Sequence, residues 1–182
     1  MKRIQVLPFG PLSPDLLAEL CSGLGRELHV DCEILPAEAD PAFAFNLTRQ
    51  QYHSTQILAS LVRRATPGSR RLLGVTPVDL YIPILTFVFG EAQLQGNCAL
   101  VSTHRLRQEF YGLPADAALF RSRLLKEAVH ELGHTLSLSH CENYECVMSP
   151  SHGVEWIDLK TWHFCSQCRT VITDRNSSKA VL

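Results

Sequence analysis

The feature that most constrains this chain is His130-Glu131-Leu132-Gly133-His134, set inside its strongest helical segment. Two imidazoles four residues apart on a helix lie about 40° apart around the axis and one turn apart along it, so both can reach one ion. With Leu124 as origin at about 100° per residue, Leu124, Leu125, Ala128, Val129, Leu132 and Leu136 fill an arc of roughly 140°. His130 and His134 fall on the far side of that arc. The pattern predicts a helix over residues 117–136, introduced by Pro114 and Asp116, that seats its apolar face on a core and turns its histidines to a cleft.

Zn²⁺ suits such a pair, because it takes neutral imidazole nitrogen and tolerates tetrahedral coordination with one position left for water. Glu131, beside the first histidine, has the carboxylate needed to accept a proton from that water. Five residues alone would fit two surface histidines equally well, so the third ligand decides. His140 lies six residues past His134. On a continuing helix it would sit about 9 Å further along, out of reach of an ion bound at roughly 2 Å. The chain must therefore leave the helix near Ser137 and fold back; Ser137 and Ser139 are weak helix formers, although glycine would make the turn more easily. A site of His130, His134 and His140 is the expectation, with that turn as its weak joint.

Cys141 and Cys146 follow at once, and Cys165 and Cys168 form a CxxC further on. Two close thiol pairs joined by a loop are what a closed Zn–S₄ site requires, and metal binding would help fold a segment of short polar loops. An iron–sulfur cluster draws on the same thiolates; two disulfides would need an oxidising compartment. Cys21, Cys32 and Cys98 read as core packing. Seven cysteines, an odd number, fit a reducing cytoplasm better than a fully paired secreted domain.

The rest of the chain supplies a scaffold. At 182 residues and 46% hydrophobic composition it can bury one substantial core. A strand over residues 4–8, a helix from Ser13-Pro14 to Leu28 and a strand over 30–35 come first. A long amphipathic helix over 47–65 follows, closed by Pro67-Gly68, and then strands at 71–75 (through Tyr81 in the longer reading), 86–89 and 99–102. This order predicts an α/β fold, a mixed sheet with helices packed on it. Residues 1–173 form one domain in this reading, with a loose tail over 174–182. A net charge of −1 argues against nucleic acid as a partner, and Arg63, Arg64, Arg70 and Arg71 read as a solvated surface. No apolar run is long enough for a membrane helix.

Taken together, His130-Glu131-x-x-His134-x₅-His140-Cys141-x₄-Cys146-x-Met148, followed after sixteen residues by Cys165-x-x-Cys168, resembles the signature of the archaemetzincins, metalloproteases of the metzincin clan. The resemblance extends upstream through Leu73-Gly74-Val75, Asp79-Leu80-Tyr81, the run from Phe87 to Ala92, and Lys126-Glu127-Ala128. It implies a compact metzincin-like domain: a mixed, mostly parallel sheet with an antiparallel edge strand, an active-site helix and a zinc-bound C-terminal part. By that match His130, His134 and His140 would bind a catalytic zinc and Glu131 would be the general base. Cys141, Cys146, Cys165 and Cys168 would hold a second, structural zinc, and Met148 would be the methionine of the Met-turn beneath the histidines. Two departures stand out: Ser137 occupies the glycine position of HExxHxxGxxH, and Pro150 and His152, not a tyrosine, follow Met148.

The expected function is zinc-dependent hydrolysis of a peptide or protein substrate by a monomer, with residues 86–89 or 99–102 as an edge strand that aligns the peptide. Its rivals are a catalytically weak or inactive zinc protein that keeps the fold, and a zinc-ribbon-like nucleic-acid module, which the near-zero charge disfavours. His152, Lys160 and His163 lie close to the ligands in sequence and are expected at the surface.

Overall fold

The computed structural model describes residues 3–37, 40–65 and 70–178, with side chains through Thr173. In chain order the elements are β1 (Arg3–Pro8), α1 (Pro14–Leu28), β2 (Asp31–Ile34), β3 (Phe45–Asn46), β4 (Gln51–His53), α2 (Ser54–Arg64), β5 (Arg70–Thr76), β6 (Leu80–Tyr81), β7 (Gly90–Ala92), β8 (Cys98–Ser102), α3 (Ala117–Thr135), α4 (Val154–Leu159) and α5 (Ser166–Ser178).

Among the described residues the main sheet has strand order β2-β1-β5-β8-β7. Its first three pairings are parallel, and β7 joins β8 antiparallel at the edge. Side chains alternate between two apolar layers. Ile4, Val6, Leu73, Val75, Ala99 and Val101 face α1 and α3, while Leu7, Leu72, Cys98 and Leu100 face Ile57, Leu58 and Leu61 of α2. Burial on both faces is why these strands read as near-continuous apolar runs. The sheet is therefore mixed and mostly parallel with an antiparallel edge, as the fold class required. Gly74 leaves room for α2: a methyl there would lie 2.8 Å from Leu61 Cδ1 and 3.0 Å from Leu100 Cδ1.

Helix α3 starts at Asp116, whose Oδ1 accepts the Leu119 amide at 2.9 Å. Leu124, Ala128, Val129 and Leu132 enter the core, as their spacing predicts. The opposite face is covered as well, because the chain after Cys141 folds over it: Cys146, Val147, Met148, Val154, Ile157, Phe164 and Cys168 join the same core. Two helices, α4 and α5, stand in this region that reads as loops, and α5 carries the chain past Asp174 to Ser178; residues 179–182 lie outside the described set.

Several elements differ from expectation. The helix predicted over 47–65 begins only at Ser54, because Gln50 has φ +54° and Gln51–His53 extends as β4, pairing with β3 and β6; Pro67-Gly68 lies outside the described residues. The strand predicted at 86–89 contributes a single bridge, Val88 to Leu80, and the regular edge strand starts at Gly90. Side chains tie the preceding segment down instead: Gln51 Nε2 donates to the Thr86 carbonyl at 3.0 Å, and the Arg105 guanidinium stacks on Phe87. Residues 99–102 form an inner strand. Cys21 packs in the core and Cys32 against it, as expected, but packing is not their whole role: the two are joined as a disulfide, with Cα atoms 5.4 Å apart, because β2 returns alongside α1. Arg71 is partly buried, its Nε donating to Thr135 Oγ1 at 3.0 Å and its Nη1 to Asn97 Oδ1 at 2.6 Å, so it belongs to the packing at the end of α3 and not to a solvated patch. No helix of the described residues is long and apolar enough to cross a membrane.

Candidate metal centre

The turn that sequence reasoning marked as the weak joint is made by Ser137 itself, at φ +73°. The Ser137 amide bonds the His134 carbonyl at 2.9 Å and the Leu138 amide bonds the Gly133 carbonyl at 3.1 Å, the paired closure of a Schellman motif. Leu138 is buried behind it, and the chain doubles back so that His140 returns to the histidine face of α3. The His140 ring centroid lies 5.3 Å from that of His130 and 5.1 Å from that of His134.

Backbone carbonyls orient the first two rings. His130 Nδ1 donates to the Val147 carbonyl and His134 Nδ1 to the Leu138 carbonyl, both at 2.8 Å. A carbonyl only accepts, so each Nδ1 carries the proton and each Nε2 presents a lone pair. These two Nε2 atoms lie 3.1 Å apart, and one nitrogen from each of the three histidines falls within 4.8 Å of the others. Burial lowers the basicity of all three; the Lys160 charge adds to this at His130, and His134 adds to it at His140. Three neutral imidazoles with converging lone pairs form a group that could hold a metal ion.

Glu131 sits beside them, buried, and burial together with the nearby Glu127 pushes its carboxyl well above the usual range. Gly90 of the edge strand presses on it: a methyl at Gly90 would stand 2.6 Å from Glu131 Cγ and 2.7 Å from Oε1. Met148 is buried under α3, where its sulfur lies against Gly133 so closely that a methyl there would collide with it. His130, Glu131, His134 and His140 line a cleft of about 740 Å³, together with residues 85–92, Pro150, Ser151 and His152.

The four thiols form a second group behind this one. Cys141 and Cys165 place their sulfurs 3.8 Å apart, as do Cys146 and Cys168, and all four lie within 4.8 Å of one another. The Cys165 amide donates to Cys146 Sγ at 3.3 Å. The Cys168 amide holds the Cys165 thiol down at about 7, whereas burial pushes the Cys146 and Cys168 thiols up. Cys98 stays a buried thiol in the sheet, as expected.

Of the neighbouring residues expected at the surface, His152 is exposed on the cleft wall, and His163 is exposed with its Nδ1 2.7 Å from Glu27. Lys160 is not. Its side chain is fully buried, with Nζ 2.8 Å from Glu127 Oε1 and 3.1 Å from the Ser149 carbonyl it donates to. Glu127 also lines the cleft and was not singled out, although a signal for it exists: Glu127, His130, Glu131 and His134 follow i, i+3, i+4, i+7 on one helix face. Glu91 of β7 is a further cleft residue that the sequence did not single out; Ser54 Oγ and Thr55 Oγ1 both donate to its carboxylate.

A mixed, doubly covered sheet with a helix-borne histidine pair closed by a third histidine defines a metallopeptidase-like fold, and the family model described as "Peptidase family M54" matches residues 36–174. The chain belongs to that family. It is 46% identical over 173 residues to the archaemetzincin of Methanocaldococcus jannaschii, a match spanning 95% of this chain and 94% of that one. Solved structures agree. Archaemetzincin from Archaeoglobus fulgidus, crystallised with malonate, superposes with a TM-score of 0.80 at 37% identity, covering 93% of this chain and 99% of its own. A zinc-dependent peptidase from Methanocorpusculum labreanum gives 0.85 at 31% identity with the same coverage.

Proposed function

We propose that this chain is a zinc-dependent peptidase in which His130, His134 and His140 hold the catalytic zinc and Glu131 is the general base. Cys141, Cys146, Cys165 and Cys168 hold a second zinc, which ties residues 141–168 to the main core. The observation that carries this reading is the meeting of three imidazole nitrogens beside a buried carboxylate in the lining of a cleft. Neutral imidazoles and clustered thiols are the donor sets zinc accepts, and at the first site zinc supplies the Lewis acidity that activates water and polarises a carbonyl. The description of the Methanocorpusculum labreanum relative as zinc-dependent supports the choice of metal.

The chain's own groups do the rest. Glu131 takes the proton of the attacking water and passes it to the leaving amine; burial makes it a stronger base than a solvated glutamate. Among the described residues β7 pairs on one side only, with β8, and borders the cleft, so an extended peptide segment can align along it by backbone pairing. The cleft, about 740 Å³ in volume with exposed His140 and His152 on its lining, has room for a substrate segment, which favours a hydrolase over a protein with a covered site.

Glu131→Gln tests the reading. Turnover of a peptide library should fall by about 10²–10⁴-fold with the metal content of the protein unchanged. Undiminished turnover in that variant would overturn it.

A further inference from the structure

The fully buried ammonium of Lys160 is neither a metal ligand nor a proton carrier in the proposed function. It is delivered by α4, yet α4 is already docked without it. Arg123 grips Asp158 through Nε at 2.7 Å and Nη2 at 2.6 Å, and Lys126 Nζ donates to the Ile157 carbonyl at 3.0 Å. Lys160 reaches deeper, to a place where taking a charge out of water is costly and where an apolar side chain would serve packing as well or better.

What it touches there is the turn under the metal centre. Three consecutive carbonyls of that turn are each engaged by a different group. Val147 accepts from His130 Nδ1 at 2.8 Å, Met148 from the Cys141 amide at 2.9 Å, and Ser149 from Lys160 Nζ at 3.1 Å. Lys160 Nζ also lies 3.5 Å from His130 Nδ1. Its counter-ion is Glu127, on the same face of α3 as His130 and one turn upstream, and Ser151 Oγ donates to that same carboxylate at 3.4 Å. The ion pair therefore bridges α3 to the turn on which His130 leans.

We propose that Lys160, held by Glu127, is a positioning residue for His130: it pins the 147–149 turn so that the Val147 carbonyl keeps that imidazole aimed at His134 and His140. The proposal rests on the zinc reading of the three histidines. Lys160 acts through the turn and touches neither metal nor substrate.

Three variants test it: Lys160→Met, Glu127→Gln, and both together. The probe is Co²⁺, titrated into protein whose thiol site holds zinc, with absorption at the histidine site read apart from thiolate charge transfer and with melting temperature recorded alongside. Charge alone predicts that Lys160→Met, which leaves Glu127 unopposed, binds the cation more tightly. Positioning predicts the reverse, a loss of about 10–100-fold, the range found when a partner that orients a metal ligand is removed. Should either single variant fail to fold, the double variant decides, since its two charge changes offset each other and its neutral pair can pack. It should melt at or above the parent temperature and still bind Co²⁺ about 10–100-fold more weakly. Parental or tighter Co²⁺ binding in Lys160→Met or in the double variant overturns the proposal. A parent protein that takes up no Co²⁺ at the histidines overturns the zinc reading itself, a distinguishable result.

Discussion

The amide of Cys141 donates to the carbonyl of Met148 over 2.9 Å, so the thiol cluster and the turn beneath the histidines are held as one piece. His140 and Cys141, neighbours in the chain, belong to the two different groups that could hold a metal ion. Whatever orders one group therefore constrains the other. Cys146→Ser removes a buried thiol from the second group and should lose metal from both. Elemental analysis should show the histidine site depleted together with the thiol site. If the variant costs about 4 kcal/mol, its melting temperature falls by roughly 8–16 °C for a chain of this size. Loss confined to the thiol site would show the two groups to be independent.

Ser137 occupies the left-handed region at φ +73°, where a side chain costs about 1–2 kcal/mol that glycine avoids. Part of that gain is offset by the greater freedom of glycine in the unfolded chain. Ser137→Gly should raise stability by about 0.5–1 kcal/mol, and Ser137→Val, β-branched at positive φ, should lower it by more than 1 kcal/mol. Thermal melts should rank the glycine variant above the parent and the parent above the valine variant. Any other order means that the serine side chain contributes something the backbone geometry does not reveal.

How much of this was legible in the sequence follows the range of the forces involved. The histidine pair and its apolar counter-face were legible because a helix fixes both by its 3.6-residue period, and β1, β5 and β8 because burial on two faces leaves few polar positions. The placement of β7 was not, since Thr86 and Phe87 carry strand-like side chains but are tied to Gln51 and Arg105, remote in sequence. The start of α2 was obscured by Gln50, whose positive φ no residue type announces. Lys160 was misjudged for a general reason: a lone lysine defaults to solvent, and only its pairing with Glu127, on another element, makes burial tolerable. The same holds for Cys21 and Cys32, whose bond depends on how β2 returns along α1.

Gly133 and Met148 are coupled by contact, and a double-mutant cycle can measure it. Gly133→Ala places a methyl against the Met148 sulfur and 3.1 Å from Phe164 Cε1, an overpacking expected to cost about 1–3 kcal/mol. Met148→Ala alone empties a fully buried site and should cost about 2–5 kcal/mol. Combined, the new methyl fills part of that space, so the pair should cost less than the sum by at least about 0.5 kcal/mol in chemical denaturation. Strict additivity would mean that the helix shifts away and that the methionine does not limit the packing at Gly133.

Cys98 offers a check on the sheet from its chemistry. Burial pushes its thiol up to about 11, only partly opposed by the Arg71 charge. The thiolate is the reactive form, so at pH 8 on the order of one molecule in a thousand carries it, and the side chain is sealed between β5 and α2. Iodoacetamide at pH 8 should leave Cys98 unmodified in the native protein and alkylate it in denaturant, as read by peptide mass spectrometry. Rapid native labelling would place that strand nearer to solvent than its packing indicates.

Gly90 is the residue through which the edge strand meets Glu131, the general base in the proposed function. A methyl there would stand 2.5 Å from the Leu100 carbonyl, 2.6 Å from Glu131 Cγ and 2.7 Å from Glu131 Oε1, and the backbone carbonyl can yield only with a shift in the pairing of β7 with β8. The flexible carboxylate yields to one contact, and a small local shift of β7 on β8 must relieve the other. Gly90→Ala should therefore fold, at a cost of about 1–3 kcal/mol, with Glu131 displaced from its position beside the histidines. A misplacement of about 1 Å in a reacting group lowers turnover on the order of 10²-fold. Metal content should stay at the parent level, because neither the histidines nor the carbonyls that orient them touch Gly90. The signature is a low kcat with metal retained, as for Glu131→Gln but milder. Parental kcat would mean that the strand alone gives way, and that β7 is looser at the cleft than its pairing implies.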